Sequence, residues 1–202
     1  MLHTLRLAAF VVLFTALPAL AQMPSAPAWI AELHAGGYVI VMRHAATHVD
    51  QVDAKPFDPA DIAHQRQLTD EGRASAQVIG AVLRKFKVPV SEVQTSLYHR
   101  AVETGTLLDV GKVNASDALT EGGMEGGRHS AALRTLAATP PPTGTNVILV
   151  THKPNIVGAF GKDWANVREG ETSIFRPDGD GGFTLVARVQ ADDWLWLTQA
   201  GH

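Results

Sequence analysis

A three-layer α/β/α sandwich, with a mostly parallel central sheet and a C-terminal antiparallel hairpin, is the fold this 202-residue sequence predicts. Three observations predict it. The runs Tyr38 to Met42 and Asn146 to Val150 are short, β-prone and apolar almost throughout, the pattern of strands buried on both faces. Strand and helix patterns then alternate along the chain, which indicates helices layered on a sheet. Near the end, Pro177-Asp178-Gly179-Asp180-Gly181-Gly182 separates two β-prone runs, Thr172 to Arg176 and Phe183 to Gln190, and reads as a hairpin turn.

The first 21 residues stand apart from this pattern. A basic start through Arg6, an apolar run from Leu7 to Leu17, then Ala19-Leu20-Ala21 before Gln22 are the three parts of a secretory signal peptide. The run is too short to span a bilayer, so cleavage near Ala21 would leave no stable membrane span. The alternative is an uncleaved anchor; either way the expectation is a periplasmic or secreted protein. Residues 22–202 then form one domain, a length that suits a single core.

The elements follow in order. Pro24 to Pro27 reads as a tail, and Trp29 to His34 as a short helix stopped by Gly36-Gly37. The first strand, Tyr38 to Met42, ends directly on Arg43-His44. Thr47 to Gln67, with Pro56 and Pro59, reads as a long loop of the kind that carries function. Thr69 caps a helix from Asp70 to Lys87, with acidic Asp70 and Glu71 in its first turn and Val78, Ile79, Val82, Leu83 and Phe86 on one face. A strand at Glu92 to Thr95 leads through Ser96 into a helix from His99 to Leu108. The Gly-rich stretch Glu121 to Gly127 precedes a helix around Ser130 to Ala137, Pro140-Pro141-Pro142 is a rigid connector, and the strand Asn146 to Val150 ends on Thr151-His152 before a helix near Asn155 to Phe160.

Composition excludes several functions. The chain has no cysteine, so disulfides, thiolate metal sites and cysteine nucleophiles are ruled out even in an oxidising compartment. A formal net charge of −3 without a basic cluster removes the electrostatic footprint of a nucleic-acid binder. Any anionic ligand must be held by a few local cations.

The chemistry gathers where ligand crevices form in open α/β sheets, at the C-terminal ends of strands. Arg43, His44, Arg100 and His152 all fall there. Arginine forks match phosphate oxygens bidentately, and histidine nitrogens act as donor or nucleophile near neutral pH. These residues stand within Val41-Met42-Arg43-His44-Ala45, Gln65-Arg66-Gln67-Leu68-Thr69-Asp70-Glu71-Gly72, Ser96-Leu97-Tyr98-His99-Arg100-Ala101-Val102-Glu103-Thr104 and Leu149-Val150-Thr151-His152.

In these four motifs, and in their order, the sequence resembles the histidine phosphatase superfamily, the phosphoglycerate-mutase-like group, in its short cofactor-free branch. The resemblance covers nearly all of the chain after the leader and looks like exported bacterial members. It implies a phosphohydrolase, a phosphomonoesterase or pyrophosphohydrolase, in which His44 attacks phosphorus in line. Arg43, Arg100 and His152 would hold the equatorial oxygens, with Arg66 and Thr151 as further substrate contacts. A carboxylic acid would protonate the leaving oxygen, and water would hydrolyse phospho-His44; the partner implied is a phosphorylated small molecule, with no cofactor and no metal. Glu121 is the favoured acid, with Glu125 on the same segment as the alternative. The chain departs from the pattern at Ala45, where glycine is usual, at Leu97, where proline is common, and at Lys153, where glycine is frequent. Ala45 is expected to narrow the pocket.

Other readings accompany this one. Arg66 either faces the pocket or pairs with Asp70 or Glu71. His44, His48, Asp50 and Asp53 could instead ligate zinc. His64, His99 and His129 line the entrance or lie on the surface, and the four tryptophans are core and rim packing. Ser96 lacks the Gly-x-Ser-x-Gly elbow of a serine hydrolase. A binding module that kept the pocket but lost turnover is the alternative to an enzyme, and a mutase is a third reading.

Overall fold

The computed structural model describes residues 26–121 and 127–200. The proposed leader, most of the proline-rich tail and Glu125 lie outside the described residues. The chain runs α1 (Ala28–Ala35), β1 (Val39–Arg43), α2 (Asp70–Lys85), β2 (Val90–Thr95), α3 (His99–Leu108), β3 (Lys112–Ala115), α4 (Gly127–Ala138), β4 (Asn146–Thr151), α5 (Lys153–Phe160), β5 (Thr172–Pro177), β6 (Phe183–Val189) and α6 (Ala191–Leu197). Among the described residues six strands form one sheet, in the order β3-β2-β4-β1-β5-β6. Pairs β2–β3, β2–β4 and β1–β4 are parallel, while β1–β5 and β5–β6 are antiparallel, so the expected mostly parallel sheet with a C-terminal hairpin is the fold observed.

Alternation along β1 and β4 builds the two cores. Ile40, Met42, Ile148 and Val150 face one layer with Ile30, Leu33, Ile79, Leu83, Leu108 and Trp194, which places α1, α2, α3 and α6 on that side. Val39, Val41, Val147, Leu149 and Phe175 face the other with Leu133, Ala137, Ile156 and Ala159 from α4 and α5. Continuous apolar runs are thus required because both faces of β1 and β4 are covered.

Local chemistry explains the element ends. The Thr69 hydroxyl accepts from the Gly72 amide at 3.0 Å, the expected cap, which contributes about 1 kcal/mol. Gly72 is required for a second reason: a β-carbon there would meet the Ala46 carbonyl oxygen at 2.2 Å, so only glycine lets the segment after His44 lie on the helix start. Gly80 plays the same part where α2 meets Leu108 of α3. Strand β3 and helix α6 are additional to the elements read from the sequence. Trp164 and Trp194 are buried, whereas Trp196 is exposed at the rim.

The topology fixes where a ligand crevice opens. Helices α2 and α3, which follow β1 and β2, lie on one face, and α5, which follows the intervening β4, lies on the other. The chain therefore parts to opposite sides at the C-terminal end of β4, the switch point at which open α/β sheets bind ligands.

Candidate active site

His44 follows β1 at that end and is pinned through its backbone: its amide donates to the Thr151 carbonyl at 3.0 Å and its carbonyl accepts from Gly170 at 3.0 Å. The ring is 2 % exposed, and its Nδ1 lies 2.9 Å from the Ala45 carbonyl oxygen. A carbonyl only accepts, so Nδ1 carries the proton and Nε2 keeps its lone pair. Burial, then the Arg100 charge, hold the His44 pKa well below the ordinary 6.5, against the Ala45 hydrogen bond and with help from Arg43 and Arg66. His44 is thus a neutral imidazole with a free ring nitrogen.

His152 caps β4, with its ring centroid 5.2 Å from that of His44. It is fully buried, and burial followed by the charges of His44, Arg100, Arg66 and Arg43 pushes its pKa well below 6.5. Its Nε2 lies 2.7 Å from Ser96 Oγ; its Nδ1 lies 3.4 Å from both Arg100 Nη2 and Glu121 Oε2.

Arg100, in the first turn of α3, is 1 % exposed. Asp53 holds its Nη1 at 2.8 and 3.0 Å, and Glu121 holds Nη2 at 3.1 Å. The guanidinium also stacks 4.1 Å from the Tyr98 ring, whose own position is fixed by Phe57 at 3.9 Å. Arg43 donates to the Val167 carbonyl at 2.9 Å and to Glu169 at 3.2 Å. Glu169 also accepts from the Thr47 hydroxyl at 2.7 Å and lies 3.9 Å from Arg66. The Nε–H groups of Arg43, Arg66 and Arg100 are buried without an acceptor among the described residues. The charges of Arg43, Arg66 and Arg100 all act on His44, so three cations stand near one imidazole, an arrangement suited to an anion with several oxygens.

Of the residues selected from the sequence, His44, Arg43, Arg100, His152, Glu121 and Arg66 converge. Arg66 turns toward Glu169 rather than to Asp70 or Glu71; Asp70 pairs with Arg73 instead. The Thr151 hydroxyl donates to the Leu119 carbonyl at 2.8 Å and so supports the approach to Glu121. Ala45 is a correction: its methyl is buried in a cluster with Leu68 and Ala76, not in the pocket, at ordinary backbone angles. Leu97 gives its amide to Thr120 Oγ1 at 3.0 Å, beside Glu121, a bond that proline at this position could not make. Lys153 is exposed at the start of α5.

The zinc reading is not supported by the placement of its residues. Asp53 is engaged by Arg100, His48 and Asp50 are exposed, and no group of three or more His, Asp or Glu among the described residues is arranged to hold a metal. His64 is exposed and bound to Asp61, His99 is partly exposed, and His129 is buried. Sequence reasoning missed Glu169 and the part played by Asp53. Neither sits in a periodic segment: they reach the arginines from a loop and from the approach to β5.

No family model matches the chain, and no curated protein matches it. Solved structures do. The protein histidine phosphatase SixA complexed with tungstate is similar at 20% identity and a TM-score of 0.56, covering 77% of this chain and 98% of that one. Mycobacterial glucosyl-3-phosphoglycerate phosphatase is 15% identical with a TM-score of 0.52, covering 74% and 96%. Phosphoglycerate mutase from Plasmodium falciparum is 15% identical with a TM-score of 0.51, covering 74% and 88%. The fold is therefore that of the histidine phosphatases and phosphoglycerate mutases.

Proposed function

We propose that the chain is a histidine phosphatase, an exported phosphohydrolase that cleaves phosphomonoesters or pyrophosphates through phospho-His44 without a metal. One observation carries the reading: a buried neutral His44 has its Nδ1 held by the Ala45 carbonyl, which leaves the lone pair on Nε2, and feels the charges of Arg100, Arg43 and Arg66. The tungstate complex of a structure with this fold, an oxyanion shaped like phosphate, supports the same ligand class. The leader read from the sequence supports export.

The chemistry follows from the geometry. His44 Nε2 forms a bond to phosphorus as the bond to the leaving oxygen breaks. Arg43, Arg66, Arg100 and His152 stabilise the charge on the remaining oxygens. Glu121, 3.1 Å from Arg100 and 3.4 Å from His152, gives its proton to the leaving oxygen. Water then attacks phospho-His44 with Glu121 as base, which returns His44 and releases phosphate.

A binding-module reading draws on Ala45 and on the choice between Glu121 and Glu125 as the acid; the Ala45 methyl packs with Leu68 and Ala76, and Glu121 lies beside Arg100 and His152. Phosphate release from an aryl phosphate and a phosphosugar panel, with chelator present, tests the proposal. Turnover in wild type and its loss in His44→Ala support it; equal release in both overturns it.

A further inference from the structure

We propose that Ser96 is a positioning residue: its buried hydroxyl donates to His152 Nε2 and so fixes the His152 proton on Nδ1, the nitrogen that faces Arg100 and Glu121. The proposal rests on the phosphatase reading for its purpose, but not for its geometry.

The argument is an accounting of donors. Ser96 is fully buried, and its Oγ has two neighbours, the Tyr98 amide at 3.2 Å and His152 Nε2 at 2.7 Å. The amide can only donate, so it takes one lone pair of the hydroxyl oxygen. If Nε2 carried a proton it would take the other, leaving the hydroxyl hydrogen without an acceptor, a costly state for a buried group. If the hydroxyl donates to Nε2 instead, every partner is satisfied and the ring proton must lie on Nδ1. A doubly protonated ring is opposed by burial and by Arg100, Arg66 and Arg43 around it.

The other side of the ring competes and is the weaker contact. Arg100 Nη2 donates toward Nδ1 at 3.4 Å, longer than its own 3.1 Å bond to Glu121 and than the 2.7 Å Ser96 bond, so the shorter Ser96 bond decides the tautomer. An Nδ1–H is then available to a phosphoryl oxygen in the complex. Without Ser96 the ring could adopt the other tautomer, present a lone pair to that oxygen and repel it. This is the reason a serine stands directly after β2 although it is sealed from substrate and has no nucleophile elbow.

The test reads the tautomer directly, from the ring ¹⁵N shifts and two-bond couplings of the histidine-labelled protein, with the His152 signals assigned by His152→Gln. The expected result is an Nδ1–H pattern in wild type and an Nε2–H or mixed pattern in Ser96→Ala. Phosphatase kinetics of Ser96→Ala should show kcat down roughly tenfold, the effect of one hydrogen bond, with Ser96→Thr restoring part of it. An Nε2–H pattern in wild type overturns the proposal, as does an unchanged pattern in Ser96→Ala. The wild-type spectrum decides even where a variant fails to fold, and it decides without turnover. A protein that hydrolyses nothing but shows Nδ1–H would sink the phosphatase reading and leave this assignment standing.

Discussion

Asp53 grips Arg100 with both carboxylate oxygens, at 2.8 and 3.0 Å, although one residue lies in a loop and the other in the first turn of α3. The same carboxylate accepts the Arg66 amide at 2.9 Å, so one side chain ties the long loop to the pocket and to a second arginine. A buried guanidinium needs such a partner while no anion is bound.

Asp53→Asn should therefore destabilise the free protein by about 1–3 kcal/mol, because Glu121 still holds the other side of Arg100. It should also tighten vanadate, since a negative charge beside the oxyanion is removed. Thermal melts with and without vanadate check both signs, and the gain in melting temperature on adding vanadate should be larger in the variant.

Glu121→Gln separates protonation of the leaving group from binding. An alkyl phosphate needs a proton on its departing oxygen, and its kcat should fall roughly 10²-fold or more. A nitrophenyl phosphate, whose leaving group departs as a stable anion, should lose much less. Equal losses on both substrates would take the acid role from Glu121.

Leu97→Pro removes the amide that holds Thr120 Oγ1. The segment before Glu121 loses a fixed point, and kcat on alkyl phosphates should fall several-fold with little change in vanadate affinity. Ala45→Gly, by contrast, should leave kcat within about twofold. It should cost about 1 kcal/mol in stability, because the methyl belongs to the small cluster with Leu68 and Ala76.

The buried histidines give the fold a pH dependence of known sign. His44 and His152 have folded pKa values well below the ordinary 6.5, so the unfolded chain binds more protons than the native one as pH falls below 6.5. Their contribution to stability is complete above that value and is lost on acidification, by up to about 1.4 kcal/mol per pH unit for each ring. Denaturation between pH 7 and 5 should show this slope in wild type and a shallower one in His152→Gln. His44 itself stays unprotonated below pH 6.5, so the acid limb of the rate profile should lie below that value.

How much of this was legible in the sequence depends on the kind of residue. His44, Arg100 and His152 follow strands or open helices that apolar runs announce, so their positions at one edge of the sheet could be read from patterning. The Thr69 cap was legible for the same reason. Strand β3 was not: Lys112–Ala115 lies at the edge of the sheet, carries mixed polarity and pairs with β2 alone. Asp53 and Glu169 were hidden because loop carboxylates have no period, and only the folded chain shows which cations they meet.

The most direct measurement is to quench the purified protein with base during turnover of an aryl phosphate and to locate the acid-labile phosphate by mass spectrometry. The account predicts phosphate on His44 in wild type, more of it at early times than at exhaustion of substrate, and none in His44→Ala. Turnover with no phosphorylated histidine, or with phosphate on another residue, would contradict it.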